Sequence, residues 1–323
     1  MFKYRKRAIW HIHWIDSFFR GTLLRFGVEK ELFLISLARF SGFLIVLSLV
    51  RFFKLRIIWS VHNVCSHEYG GSSFEKWVTK LLLTFSDKVT GFNAYICKQL
   101  ADQYDFHETV LMRQGLYEGC YPDNILRADA RKKLSIPEND FVLLMFGALQ
   151  EYKGVDVLIK AFASYEFEHT TLIIAGSSKN CPEYGKFLRK LASCNEKIAL
   201  YDRYIADDEV QYFFRAADYT IYPYRQIANS GTIFLSLTFG VPIIVSDKGG
   251  VREVTDIEPE TRILIAEPTE ENIFHAIQQA QKSGCEREKM GKIQEALRWC
   301  NLKTGIVEIF DFSLSESDKS IHH

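Results

Sequence analysis

A chain of 323 residues can hold two domains of ordinary size, and 47% apolar with 25% charged residues is the balance of a globular protein, not of a disordered or fibrous one. Forty basic residues offset forty acidic ones, so no net field recruits nucleic acid, and no RNA- or DNA-binding signature is present. Seven cysteines, an odd number with no C-x-x-C and no His/Cys cluster at zinc spacing, are expected as mostly buried, reduced thiols of a cytoplasmic protein.

The basic start (Lys3, Arg5, Lys6, Arg7) leads into residues 8–14, AIWHIHW, which read as a buried strand. The histidines and Asp16 interrupt any secretory h-region. Residues 32–53 are strongly apolar, but Arg39 leaves only eleven uncharged positions from Phe40 to Val50, short of the ~20 that a membrane span needs. A buried helix packed on a sheet is expected there, and the basic flanks Arg51, Lys54 and Arg56 leave contact with an anionic membrane surface open. Short apolar runs at 56–63, 87–92 and 109–115 follow as strands, with an amphipathic stretch at 74–85 between the first two. From 116 to 139 glycine, proline, aspartate and asparagine mark a connection with one short helix near 128–134. Strands then resume at 141–149, 170–177, 197–202, 219–224, 241–246 and 262–267, separated by helical patterns at 155–162, 183–193 and 207–217. Helical sequence closes the chain at 271–283 and 289–310, and the tail from 313 is expected to be disordered. Strands alternating with helices predict two doubly wound parallel α/β layers in series. The boundary is expected near 118, with domains 1–118 and 119–323. Ligands of such sheets sit beyond the carboxyl ends of the strands, so the expected site is a cleft between the domains.

Three stretches carry chemistry. In YRQIANSGTIFLSLTFGVP (224–242) a strand turns through Asn229 and Ser230 into an almost wholly apolar helix, which Gly240 and Pro242 end. Asn229 or Ser230 suits the N-cap, and Gly231 and Thr232 leave free N–H groups beside the positive end of the helix dipole, an anion site. In FGALQEYKGVD (146–156), Lys153 stands at the head of a helix, where its ammonium can meet the same anion. SDKGGVRE (246–253) again lets backbone approach closely at a strand end. A capped core helix and a solvated lysine are the plain alternatives.

The order of FGALQEYKGVD, IYPYRQIANSGT and FGVPIIVSDKGGVREV, with IWSVHNV (58–64) upstream, resembles GT-B glycosyltransferases of the family 4-like group, in the Ser-Gly-Thr variant of bacterial polysaccharide assembly. The resemblance spans about 8–310 and is strongest from 141 to 254. It implies two Rossmann-like domains and transfer of a sugar from a nucleoside diphosphate to a hydroxyl of a glycan or lipid-linked acceptor. No cofactor is implied beyond the donor, and the outcome implied is retaining. The diphosphate would lie on Gly147, Gln150, Lys153, Ser230, Gly231 and Thr232. The nucleoside would lie against Arg203, Tyr204, Ile205 and Glu253. His62, catalytic with Lys153, would face the transferred sugar, with His13, Trp14 and Asn63 on the acceptor side. No D-x-D occurs, so no metal is expected. The implied place is the cytoplasm, at the inner face of a membrane.

The chain departs from the pattern in three ways. Ile227 and Leu235 stand where many members carry glutamates, and Gln150 stands near the place of an arginine. The first strand and Gly-rich loop of the acceptor domain have no counterpart, which implies a truncated or a naturally short member. A non-catalytic GT-B protein binding nucleotide sugar or partnering an active transferase is the alternative, and an epimerase of the same fold is another. A nicotinamide oxidoreductase lacks its G-x-G-x-x-G.

Overall fold

A computed structural model describes residues 8–14, 30–64, 73–284 and 287–310; the tail, Cys65 and Cys285 lie outside them. Two compact units emerge, one from the described residues up to Arg113 together with those from Thr304, the other Gln114–Lys303.

The first unit holds β1 (Ile9–Ile12), α1 (Lys30–Phe52), β2 (Arg56–Val61), α2 (Ser73–Phe85), β3 (Lys88–Gly91), α3 (Ala94–Tyr104) and β4 (Thr109–Leu111). The strands pair in parallel in the order β1-β2-β3-β4. Ile57, Ile58, Trp59 and Val61 are buried because helices cover a parallel sheet. Local signals set the helix ends. Asn93 Oδ1 accepts from the Ile96 N–H at 2.9 Å to start α3, and Asp105, at φ 54°, closes it. The helix over 30–52 exists, but it is not buried all round. Phe40, Phe43, Leu47 and Val50 are buried, whereas Ile45, Val46, Leu49 and Phe52 face outward. A helix lying on one face of a sheet buries only one stripe. No helix of the described residues is long and apolar enough to cross a membrane.

In the second unit α4 (Arg127–Lys133), β5 (Phe141–Phe146), a 3₁₀ turn (Glu151–Lys153), α5 (Val155–Ser164), β6 (Thr170–Gly176), α6 (Pro182–Ala192), β7 (Ile198–Asp202) and α7 (Val210–Ala216) come first. Then follow β8 (Tyr219–Tyr222), α8 (Gly231–Thr238), β9 (Ile243–Ser246), α9 (Val251–Thr255), β10 (Arg262–Ile265), α10 (Glu270–Ser283) and α11 (Gly291–Ala296). The last helix, α12 (Trp299–Phe310), begins here. The sheet is parallel, in the order β10-β9-β8-β5-β6-β7. Its central strand β5 is apolar throughout because both faces are covered; Val142 to Met145 are fully buried. Each such side chain contributes about 1.5–3 kcal/mol, and Leu144→Ala would cost about 2–5 kcal/mol. At the amino end of β5, buried Arg131 donates to Asp218 Oδ2 at 2.8 Å, and the same oxygen accepts from the Val142 N–H at 2.7 Å. That pair ties α4 to the sheet.

The cysteines depart from expectation. Cys120, Cys194 and Cys300 are exposed, and Cys97 and Cys181 are half-buried. None lies on a core strand; each sits in a turn, at a helix end or on a helix face.

Candidate functional site

At the carboxyl end of β5 a cavity of about 330 Å³ is lined by Lys153, Ser230, Gly231 and Thr232, with Tyr117, Tyr121 and Tyr152 among its other walls. Gly147, at φ 111°, packs against two of these walls: a Cβ there would stand 2.8 Å from Thr232 Cγ2 and 2.9 Å from Lys153 Nζ. Only glycine fits both that backbone and that contact.

Lys153 closes the 3₁₀ turn, and its residue is only 7% exposed. Burial lowers its pKa to about 8. No carboxylate pairs with it among the described residues. A buried ammonium without a counter-charge is costly, and an anion entering the cavity would supply what the described residues do not.

The lysine's turn is held from outside the cavity. Arg225 donates its backbone N–H to the Tyr152 carbonyl at 2.8 Å and its guanidinium to the Glu151 carbonyl and, at 2.8 Å, to Asp156 Oδ2. The other oxygen of Asp156 accepts from the Tyr184 hydroxyl at 2.8 Å. Arg225 and Tyr184 hold the Asp156 carboxyl below its usual range despite burial, which alone would raise it.

On the other side stands the amino end of α8. Ser230 is its N-cap, but its side chain makes no capping bond, contrary to the sequence expectation. The hydroxyls of Ser230, Thr232 and Tyr224 instead form a triangle, with edges of 2.8 Å (Tyr224–Ser230), 2.9 Å (Tyr224–Thr232) and 2.8 Å (Ser230–Thr232). The reason is competition: buried Tyr224 needs a partner, and two hydroxyls within reach satisfy it. The first amides of α8 therefore keep no side-chain acceptor from Ser230, as an anion site requires. Gly231 also has a close neighbour, since a Cβ there would lie 2.8 Å from the Tyr117 hydroxyl. Tyr117 is fixed in turn by Gln114, whose amide donates to the phenol at 3.1 Å, and by its own N–H on Thr238 Oγ1 at 3.0 Å.

Gly147, Lys153, Ser230, Gly231 and Thr232 thus come together. Gln150 does not line the cavity; it begins the 3₁₀ turn. Arg203, Tyr204 and Ile205 follow β7 and also lie outside its walls. Arg203 grips the Glu209 carboxylate at 2.6 and 2.7 Å, Tyr204 is exposed and Ile205 is buried. Glu253 lies on α9, away from the lining. The loop before α9 serves as support: the Gly250 N–H donates to the Ala228 carbonyl at 3.2 Å. The three tyrosines and Arg225 escaped the sequence reading; the aromatics of GLYEGCY (115–121) were the signal available within a segment otherwise read as a connection.

In the first unit the ends of β1 and β2 gather His13, Trp14 and His62. Trp14 stacks on His62 with centroids 4.0 Å apart, and His13 Nδ1 lies 3.1 Å from His62 Nε2. Asn63 follows, half-buried. Burial, with the neighbouring imidazoles second, lowers the His62 pKa to about 4, so the ring is neutral near pH 7. No metal-binding cluster occurs among the described residues.

Residues 127–296, more than half of the chain, match the family described as "Glycosyl transferases group 1". The chain is 24% identical over 234 residues to a GDP-mannose:glycolipid 4-beta-D-mannosyltransferase of Xanthomonas campestris, a match covering 72% of this chain and 60% of that protein. It therefore spans about three-fifths of the length of that curated relative. Among solved structures, Anabaena HepE in complex with UDP and glucose superposes with a TM-score of 0.69 at 16% identity, over 80% of this chain and 72% of that one. A glycosyltransferase of Rickettsia africae does so at 0.67 and 15%, over 84% and 80%. The fold is that of the GT-B glycosyltransferases, with two parallel-sheet Rossmann-like units.

Proposed function

The chain belongs to the group 1 glycosyl transferases, and from that premise we propose that it is a hexosyltransferase moving a sugar from a nucleoside diphosphate to a hydroxyl of a glycan or lipid-linked acceptor. One observation carries the reading: Lys153, buried and without a counter-charge among the described residues, shares a cavity with the amino end of α8. A diphosphate leaving group would settle between them. As the sugar–oxygen bond breaks, negative charge grows on that group, and preorganised amides and one ammonium would meet it without the reorganisation that water requires. One triangle hydroxyl, Ser230 or Thr232, would turn outward to donate to a phosphate oxygen.

With that cation and those dipoles in place, the reaction needs no metal and should persist in chelator. Activity lost in chelator and restored by magnesium or manganese would contradict this. Retention of anomeric configuration, implied by the resemblance, is checked by proton NMR of the first-formed product. A glycolipid acceptor is supported by the name of the Xanthomonas relative. The outward apolar stripe of α1, with Arg51, Lys54 and Arg56 at its end, supports contact with the cytoplasmic face of an anionic membrane. Flotation with anionic vesicles tests that contact, and Ile45→Glu with Leu49→Glu should abolish it. Thermal-shift titration with UDP-, GDP- and ADP-sugars, followed by a transfer assay, tests the whole. No stabilisation by any nucleoside diphosphate would sink it, and binding without transfer or hydrolysis would favour a non-catalytic relative.

A further inference from the structure

Behind His62 in the first unit lies a run of polar groups that the sugar-transfer chemistry does not itself use. His13 Nε2 lies 3.2 Å from His11 Nδ1, His11 Nε2 lies 2.8 Å from Ser60 Oγ, and Ser60 Oγ lies 2.7 Å from Thr90 Oγ1. Thr90 on β3 and Ser60 on β2 are fully buried. His11 lies on β1 between the Phe310 ring, at 5.2 Å, and the His13 ring, at 4.0 Å.

Hydrogen counting along this run gives it a direction. A buried hydroxyl spends its hydrogen on an acceptor. The partner of Thr90 Oγ1 among the described residues is Ser60 Oγ, so Thr90 donates and Ser60 accepts. The single hydrogen of Ser60 is then left for His11 Nε2, which must be bare. A neutral imidazole with a bare Nε2 carries its hydrogen on Nδ1. The next link is bent, because the two ring centroids lie only 4.0 Å apart and the nitrogens cannot both stand on the line between them. Two N–H groups facing each other at that separation would still repel, so His13 Nε2 is bare. His13 therefore carries Nδ1–H and donates to His62 Nε2. That last link is well aligned, with ring centroids 5.4 Å apart. Burial, followed by the other imidazoles, lowers the pKa of His11 and His62 to about 4, and burial lowers that of His13, so each ring holds one hydrogen near pH 7.

We infer that Thr90 and Ser60, acting through His11 and His13, fix His62 as the Nδ1–H tautomer, so that His62 meets a substrate hydroxyl as a hydrogen-bond donor and not as a general base. Only the substrate contact rests on the proposed transferase activity; the tautomer follows from this unit alone. His13, His11, Ser60 and Thr90 are positioning residues, since they act through His62.

The test begins without turnover. A long-range proton–nitrogen spectrum of the full chain with labelled histidine, at pH 7, should show a protonated Nδ1 and a bare Nε2 for His62, assigned by its loss in His62→Gln. A bare Nδ1 overturns the inference. Thr90→Val removes the hydrogen that starts the run and should mix the His62 tautomers; an unchanged pattern in the folded variant overturns it too. In the transfer assay, His62→Asn keeps an amide hydrogen near the place of Nδ1 and should stay within about tenfold of wild type, whereas His62→Asp should fall by about a hundredfold or more. The opposite order would make His62 a base. A wild-type chain that transfers nothing counts against the transferase assignment and leaves the spectrum to judge the tautomer.

Discussion

Both units place their polar chemistry at the carboxyl ends of parallel strands, but they balance it in opposite ways. In the second unit a buried ammonium stands without a counter-charge among the described residues, and the groups around it, Arg225 on Asp156 and the three-hydroxyl triangle, are satisfied by one another. In the first, the half-buried imidazoles of His11 and His62 and the exposed one of His13 satisfy one another and hold no net charge near pH 7. An unbalanced buried charge is tolerated where a ligand completes it, and that is the signature of an anion site. A balanced neutral array carries geometry, not charge; it can direct a hydrogen bond but cannot hold a diphosphate.

This contrast breaks most directly at Lys153. Lys153→Ala should lower transfer well beyond tenfold, in line with the loss of about 2.7–4 kcal/mol for one transition-state donor. Initial rates on the folded variant decide, and a wild-type rate would end the contrast. The turn that carries the lysine comes next. Arg225→Ala should weaken nucleoside diphosphate binding by about tenfold, since it removes a charge-assisted bond of about 1.5–3 kcal/mol; calorimetry on the variant would read it, and Arg225→Lys should recover only part.

The two units should also answer pH with different signals. Lys153 is protonated below about 8 in the free protein. Affinity for a nucleoside diphosphate should therefore fall as pH rises through 8, by at most about tenfold per unit. A dissociation constant flat from pH 7 to 9.5 would refute this. His11 and His62 titrate lower in the folded protein, near 4, than their ordinary value of 6.5. Between those values the unfolded chain binds more protons, so their contribution to stability is present above pH 6.5 and lost as pH falls toward 4. Urea midpoints followed through tryptophan fluorescence over that window should shift less in a His11→Gln, His62→Gln double variant than in wild type. The smallest effect belongs to the linker. Tyr117→Phe removes a hydroxyl that receives the Gln114 amide and should cost about 1 kcal/mol in ligand-free stability, read as a modest drop in Tm.

Much of this arrangement was legible beforehand where it is local. Short apolar runs became parallel strands of three to seven residues, and the Lys153 and Ser230–Thr232 turns fell at strand ends because a doubly wound sheet sends its loops there. The failures are long-range. Arg225 meets Asp156 across 69 positions, His13 meets His62 across 49, and Tyr117 donates to Thr238 across 121. No periodicity records such pairs, because each depends on which strands lie side by side and in what register. Ser230 is the N-cap, as its position suggests, but its capping bond is missing for a different reason: capping propensity favoured a bond to the helix backbone, and a buried tyrosine took the hydroxyl instead.

By itself, then, the order of residues determined the alternation of elements, the apolar interior of each strand and the placement of a lysine and a small-residue turn at strand ends, since backbone periodicity and turn chemistry act over a few neighbours. Tertiary structure alone decided that the lysine would be buried without a counter-charge among the described residues, that tyrosines from the connection would wall its cavity, and that a threonine on β3 would sit two bonds behind an imidazole on β1. Burial and hydrogen-bond partnership are properties of packed neighbours, and packing joins what the chain keeps far apart.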